Sequence, residues 1–493
     1  MSYIGIDLGT SSVKLLLVEE GGEILASATR TYEVEYPRPG WSQQNPEDWL
    51  AATLDGLREL LADRDAGAVR GLGVGGQMHG LVALDDRDQV LRPAILWNDG
   101  RTEREVEYLN ETVGREFLSA HTANIAFAGF TAPKILWMKK HEPELYGRIA
   151  KVMLPKDYLV YMLTGIHATD VSDASGMLLL DVEHRCWSRE MCEKCGVDML
   201  WLPKLFESSE AVGKLKPCYE QELGLRNVTV CAGAGDNAAA AVGTGTVGEG
   251  ACNLSLGTSG TLFISSEKFR VDEHNALHAF CHADGGYHLM GCMLSAASCV
   301  SWWLKLLGVW DFEAEMAGLE RKLGCNGVYF LPYLMGERSP LNDVNARGTF
   351  TGMTMDTVRG DMTLAVLEGV SFALRDSVEV ARRLGLELTR SKVCGGGAKN
   401  RLWLRILASV LNMELEVPAV EEGPAMGGAL LAAVACGTYT SVAQAAAAVV
   451  STRETISPEP ELVQLYEERY QTFRTLYPAL KEPFAGLAQQ EVR

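Results

Sequence analysis

The tetrapeptide Leu-Gly-Thr-Ser occurs twice, at Leu8–Ser11 and at Leu256–Ser259, each time directly after a short apolar run. In the first copy Tyr3–Ile6 precedes the turn and Val13–Val18 follows it, which predicts a β-hairpin closed by small residues. Such a turn lets backbone N–H groups face a ligand with no side chain in the way. Asp7 ends the first strand. A carboxylate beside a Gly-Thr-Ser-Ser turn suits a divalent cation with phosphate, the carboxylate holding the metal's water shell and the hydroxyls and amides holding the oxygens. One such turn alone also reads as an ordinary hairpin with a solvated Asp. The repeat at Ser255–Gly260, after the strand-like Ala251–Leu254, weighs against that. Leu72–Gly76 and Val393–Gly397 form a second matching pair, each a strand that ends on glycines. Two related halves, each with a phosphate-type turn, predict a nucleotide held between duplicated domains.

A chain of 493 residues is too long for one core and predicts two large domains. With 45 basic and 64 acidic residues the net charge is −19, which argues against a nucleic-acid backbone or an anionic membrane as partner. No apolar run reaches membrane-spanning length, and the chain opens on a strand where a signal peptide would stand. The twelve cysteines are scattered, several within apolar runs (Cys231, Cys292, Cys394, Cys436), and read as buried thiols in the cytoplasm.

The expected elements alternate. A strand meander covers Tyr3–Ile6, Val13–Val18 and Ile24–Val34. Asn45-Pro46-Glu47 then opens a helix with Asn45 as N-cap, and its apolar positions Trp49, Leu50, Leu54, Leu57, Leu60 and Leu61 keep helical spacing. A strand at Val69–Val74 follows, then helices near Arg101–Asn110, Pro133–Lys140 and Lys156–Leu163. Next come strand Val228–Cys231, helix Asp236–Val242 and helix Ser295–Leu307. The pattern closes with helix Val366–Leu384, strand Lys392–Cys394, helix Arg401–Leu411, strand Glu414–Val417 and helix Pro424–Ala435. This is an α/β chain with mixed sheets. Beyond Gly437 no pattern stands out.

Gly233-Ala-Gly-Asp-Asn-Ala238 follows a strand and opens a helix, formally matching a dinucleotide fingerprint. Asp236 would repel a pyrophosphate at that helix start, and no acidic residue closes a strand about 20 residues on, so a nicotinamide oxidoreductase is rejected. A carboxylate there suits a base facing a neutral hydroxyl; the alternative is a helix N-cap. No P-loop motif occurs. Gly75-Gly-Gln-Met-His-Gly80 places Met78 and His79 where they can line a cleft and meet a polyol. Trp97-Asn-Asp-Gly-Arg101 offers an aromatic face with polar groups for a sugar, or a local Asp99–Arg101 ion pair. Gly395-Gly-Gly-Ala-Lys-Asn400 precedes a helix and allows close approach of a base and ribose. His278, Cys281, His282, His288 and Cys186, Cys192, Cys195 lack zinc-type spacing.

Taken in order, Asp7–Lys14, Gly76–Gly80, Leu96–Asp99, Gly235–Asn237, Ser255–Gly260 and Gly395–Ala398 resemble the FGGY family of carbohydrate kinases, with Gly129–Lys134, Leu154–Tyr158 and Gly336–Pro340 adding to the likeness. The resemblance implies two actin-like (ribonuclease H-like) ATPase domains with a cleft between them, residues 1–245 and 246–493. It implies Asp236 as catalytic base, Asp7 as metal-associated carboxylate, and both as Mg²⁺ neighbours. Met78, His79, Asp236 and Asn237 fall on the sugar site. Gly9, Thr10 and Ser11 fall on the first phosphate turn, Gly257 and Thr258 on the second, and Gly396 and Asn400 on the adenosine motif. The implied cofactors are ATP and Mg²⁺, the partner is a small sugar, and a homodimer is left open. The expected substrate is a ketopentose, with ribulose, gluconate or glycerol as alternatives. A non-catalytic actin-like nucleotide-binding protein is the alternative from another class, but it would need no polyol pocket.

Overall fold

Strand β1 (Ser2–Leu8) carries buried apolar residues on both faces (Tyr3, Ile4, Ile6, Leu8), the signature of a central strand covered from both sides. In the computed structural model, which describes residues 1–420 and 422–491, it is the centre of the first sheet. It runs antiparallel into β2 (Ser12–Glu19), which pairs with β3 (Ile24–Thr31). Helix α1 (Pro46–Leu61) follows, and the Asn45 side chain accepts from the Glu47 N–H at 3.3 Å, the cap read from the sequence. β4 (Val69–Gly76) lies parallel to β1. After helix α2 (Pro155–Thr164) come β5 (Ala211–Lys214), β6 (Thr229–Cys231) and β7 (Ala234–Gly235). The order is β5-β6-β4-β1-β2-β3, with β7 alongside the end of β4. Helix α3 (Asp236–Gly243) starts directly from β7.

The second sheet follows the same plan. Its strands are β8 (Cys252–Leu256), β9 (Gly260–Ser266), β10 (His278–Cys281), β11 (Tyr287–Met293), β12 (Arg390–Cys394), β13 (Glu414–Pro418) and β14 (Thr452–Ile456), in the order β10-β11-β9-β8-β12-β13-β14. Hairpin β8–β9 corresponds to β1–β2. β12 lies parallel to β8 as β4 does to β1. The longest helices of this half are α4 (Ala297–Leu307), α5 (Arg359–Arg383), α6 (Arg401–Leu411), α7 (Gly423–Ala435) and α8 (Pro460–Glu491). The duplication read from one tetrapeptide is therefore a duplication of sheet topology. Among the described residues no helix is long and apolar enough to cross a membrane.

Three differences from the expected elements have local causes. The helix near Arg101–Asn110 is broken into Glu103–Glu107, a π-helical turn Tyr108–Gly114 and Arg115–Thr122. Helix α5 begins seven residues before Val366, because Asp361 folds back to accept the Val358 N–H. The segment after Gly437 is well structured. Within α8, Tyr466, Tyr470, Phe473 and Phe484 are buried at helical spacing, a pattern masked in the sequence by Pro478 and Pro483. Tyr466 and Arg469 both donate to Glu368 in the middle of α5, at 3.1 and 2.8 Å, and Tyr470 donates to Asp376 at 2.7 Å.

Helix α7 belongs by sequence to the second half but lies on the first sheet. Its backbone touches the backbone of β1 and β4: a Cβ on Gly5 would stand 1.8 Å from the Ala425 carbonyl oxygen, and one on Gly73 2.1 Å from that of Gly428. On its other side a Cβ on Gly427 would stand 1.9 Å from the Ala239 oxygen of α3. Gly486, in α8, has no neighbour within 4 Å of the same position. Gly427→Ala should therefore cost about 1–3 kcal/mol or more in chemical denaturation. Gly486→Ala, in an equally helical setting, should be neutral or stabilising by up to about 1 kcal/mol. Equal effects of the two would remove the close-packing argument.

Candidate active site

The parallel strands β1, β4 and β7 end at one edge. Asp7 stands opposite Gly75, Leu8 opposite Gly76, and Gly76 opposite Gly235. This register gathers Asp7, the segment Gln77–His79 and the pair Asp236–Asn237, which the sequence separates by up to 230 positions. Asp236 is the first helical residue of α3, and the N-cap position is Gly235, so the carboxylate is not the helix cap. Its Oδ1 accepts from the Asn237 backbone N–H at 2.7 Å and from Asn237 Nδ2 at 2.9 Å. Its Oδ2 receives no hydrogen bond from the described residues. Burial pushes its pKa up to about 6, against the lowering effect of the Asn237 bonds. Asp7 is pushed up to about 7, first by burial and then by the charge of Asp236. Lys14 stands opposite Asp7 in the hairpin and pairs with Glu422, just before α7. Two half-buried carboxylates that raise each other's cost of ionisation are a donor set that suits a hard divalent cation such as Mg²⁺.

Met78 lies against Gly235, where a Cβ would come within 2.9 Å of its Cγ, and its sulfur is 3.9 Å from Asn237 Nδ2. His79 has φ +69°. Its Nδ1 is 2.9 Å from the Gly176 carbonyl oxygen, which only accepts, so Nδ1 carries the proton and Nε2 is left as an acceptor. Burial and nearby Lys134 hold the ring neutral, with a pKa lowered to about 3. The left-handed backbone is held by Lys134 Nζ and Thr131 Oγ1, which donate to the His79 carbonyl at 2.9 and 3.0 Å. Trp97 Nε1 donates to Thr10 Oγ1 at 3.0 Å and ties this side to the first phosphate turn. Asp99 and Arg101, by contrast, are closed to solvent and form a bidentate pair, the guanidinium 4.0 Å from the Trp41 ring centroid. Of the two readings of that segment, the local ion pair is the one realised.

In the first turn Gly9 N–H donates to Ser12 O, and in the second the Gly257 and Thr258 carbonyls accept from Ala297 and Ala296 at 3.0 Å. The second turn is thereby fixed to the start of α4, and its Thr258 is exposed. A cavity of about 350 Å³ runs from Asn237 and Ala240 on α3 to Ser255 on β8 and Gly395 after β12, joining the two halves. A second, of about 640 Å³, lies between Val300 and Leu304 of α4 and the segment Gly396, Gly397 and Asn400. Asn400 Oδ1 is committed to capping α6 through the Trp403 N–H at 2.8 Å, so its amide NH₂ is the part left as a handle. His278 stacks on Phe280 and His288 on Phe263, both inside aromatic packing. Lys134, Lys156, Asp170 and Ser172 also surround the site. No role for them is legible in the sequence, where the available signal is charge inside apolar runs, as with Lys156 in Leu154–Leu159.

Two sheets of one topology, a phosphate-type turn in each, and a half-buried carboxylate with Met78 and Asn237 beside it fit a sugar or polyol phosphotransferase. The sequence comparisons agree. The pattern of the FGGY family of carbohydrate kinases matches over its N-terminal domain at residues 2–243 and its C-terminal domain at 252–436. The chain belongs to this family, and it is a sugar kinase. The xylulose kinase of Escherichia coli K12 is 42% identical over 481 residues, covering 97% of this chain and 99% of that one. The xylulose kinase of Bacillus subtilis is 38% identical, covering 98% of each. Among solved structures, the "xyloylose kinase" of Brucella ovis superposes with a TM-score of 0.94 at 41% identity, over 98% of this chain and 100% of that one. The gluconate kinase of Lactobacillus acidophilus, at 23% identity and TM-score 0.93 over 99% of each, shares the fold.

The raised pKa of Asp236 has a stability consequence. The folded state holds its proton up to about pH 6, whereas the unfolded chain releases it near 3.8. Its contribution is therefore present below about pH 4 and lost as pH rises through 6. With a chelator present, Asp236→Asn should melt higher than the parent at pH 8, and the gap should close toward pH 4. A melting difference that does not change with pH would show that Asp236 ionises in the fold as it does in water.

Proposed function

We propose that this chain transfers the γ-phosphoryl group of ATP to the terminal hydroxyl of D-xylulose, giving D-xylulose 5-phosphate and ADP, and that Asp236 is the general base. The carrying observation is the convergence at Asp236. Its Oδ1 is held by Asn237 while its Oδ2 receives no hydrogen bond from the described residues, and Met78 stands against Gly235 and Asn237 at the same strand edge. Asp236 accepts the hydroxyl proton as that oxygen attacks the γ-phosphorus in line, and ADP leaves. Its Asn237 bonds keep Oδ1 occupied, so that Oδ2 meets the substrate. His79, neutral and with Nε2 as acceptor, takes a hydrogen bond from a sugar hydroxyl. Gly9, Thr10, Ser11, Gly257 and Thr258 hold the phosphate oxygens, and the 640 Å³ cavity with Gly396 and Asn400 holds the adenosine. Asp7 and Asp236 would hold Mg²⁺, which when bound supplies positive charge to the phosphates. The choice of xylulose rests on the full-length likeness to xylulose kinases. The sugar side is assigned to residues 1–245 and the adenosine side to 246–493, and the free thiols support a location in the cytoplasm.

The test is a coupled ADP-release assay across D-xylulose, D-ribulose, gluconate and glycerol. D-Xylulose should give the highest kcat/KM; preference for another of the four would overturn the substrate while leaving the reaction class. His79→Ala should raise the KM for the sugar about 5- to 100-fold, the worth of a hydrogen bond in a desolvated site, with the KM for ATP nearly unchanged. A defect confined to ATP would place His79 outside the sugar site.

A further inference from the structure

Behind Asp236 lies a polar network closed to solvent. Lys156, Asp157, Asp170 and Asp173 all have side chains at 0% exposure. Lys156 Nζ is 2.7 Å from Asp157, 3.1 Å from Asp170 Oδ1 and 3.9 Å from Asp173. It also donates to the Ala232 carbonyl in the approach to β7, and its Cβ sits where a side chain on Gly76 would. Asp170 turns its other oxygen, Oδ2, toward Ser172, accepting from the backbone N–H at 2.8 Å and from the hydroxyl at 2.5 Å. The Ser208 hydroxyl donates to the same oxygen at 2.7 Å. A carboxylate oxygen so surrounded fixes the Ser172 proton toward itself, and the Ser172 lone pair then accepts from the Gly235 N–H at 3.2 Å. Gly235 immediately precedes Asp236 and pairs with Gly76 beside Met78.

Three carboxylates around one ammonium make a costly core, since buried ions are desolvated and an apolar replacement is often at least as stable. Stability alone gives no reason for such a cluster here. One arm that leaves the cluster, through Ser172, ends on the amide next to Asp236. We propose that the buried chain Lys156–Asp170–Ser172 is a positioning device that fixes the Gly235–Asp236 backbone, and with it the carboxylate, at the reacting hydroxyl. This rests on Asp236 being the general base.

The experiment is a mutant cycle read by steady-state kinetics with D-xylulose and ATP, below the measured unfolding midpoint of each variant. Ser172→Ala removes the link to Gly235. Ser208→Ala removes a bond of equal burial from the same Asp170 oxygen without touching Gly235, and so controls for stability. Ser172→Ala should lower kcat roughly 10- to 100-fold, as a displaced catalytic group does, with both KM values within about two-fold. Ser208→Ala should change kcat less than about two-fold. In an Asp236→Asn background, read above sugar-independent ATP hydrolysis, Ser172→Ala should cost nothing further. The same fold loss in both backgrounds, or an equal loss from Ser208→Ala, would overturn the positioning role alone. Near-normal turnover of Asp236→Asn by itself would overturn the base, and this inference with it.

Discussion

The structure depends on a backbone-to-backbone contact. Helix α7 lies so close to β1, β4 and α3 that three glycines, Gly5, Gly73 and Gly427, stand where any side chain would overlap a carbonyl. A helix seated on side chains could shift by repacking them, but one seated on peptide groups has little room to move. Because α7 also contacts α3, it fixes the helix that begins with Asp236 relative to the strand that carries Asp7. The distance between the two carboxylates is thus set by main chain. The second half of the chain supplies the piece that sets it, and its Glu422 reaches Lys14 beside Asp7.

The chemistry follows from where parallel strands stop. In open α/β sheets ligands gather beyond the carboxyl ends of the strands. Here β1, β4 and β7 end together and deliver a carboxylate, a Met-His pair and a second carboxylate to one edge. Partial burial then gives Asp236 a proton affinity near that of a useful base, and the same burial makes the pair of acids receptive to a cation. His79 is kept neutral in this setting by burial of its ring against Phe130 and Phe280.

Much of this was legible in the sequence because it is local. The hairpin turns, the Asn45 cap and the helix Arg401–Leu411 are written in neighbouring residues, and they stand where the pattern put them. The repeated turn gave the two-sheet plan because hairpin and parallel partner recur in both halves. What stayed illegible depends on contacts far apart in sequence. Asp99 and Arg101 offer sugar-binding chemistry on paper, yet Trp41 and Trp137 enclose them. Asn400 has its oxygen taken by a cap that any Asn before a helix could make. Lys156, Asp170 and Ser172 become one chain only when α2, the turn at Asp170 and β7 are brought together. The tail hid its helix behind two prolines although its buried aromatic spacing was present.

The clasp between α8 and α5 bears on how the chain is made. Glu368 and Asp376 sit within α5, with pKa values raised to about 7 and 6 by burial; Asn326 donates to Glu368 from earlier in the chain, and Tyr466, Arg469 and Tyr470 donate to the two acids from α8. A ribosome delivers the α8 partners roughly a hundred residues after the carboxylates, at a pace of about 5–20 residues per second. During that interval the nascent second half carries two acids it cannot comfortably bury, and the first half, until α7 has emerged, exposes its glycine face. Each half therefore waits for a helix made after its own sheet, the first for α7 and the second for α8.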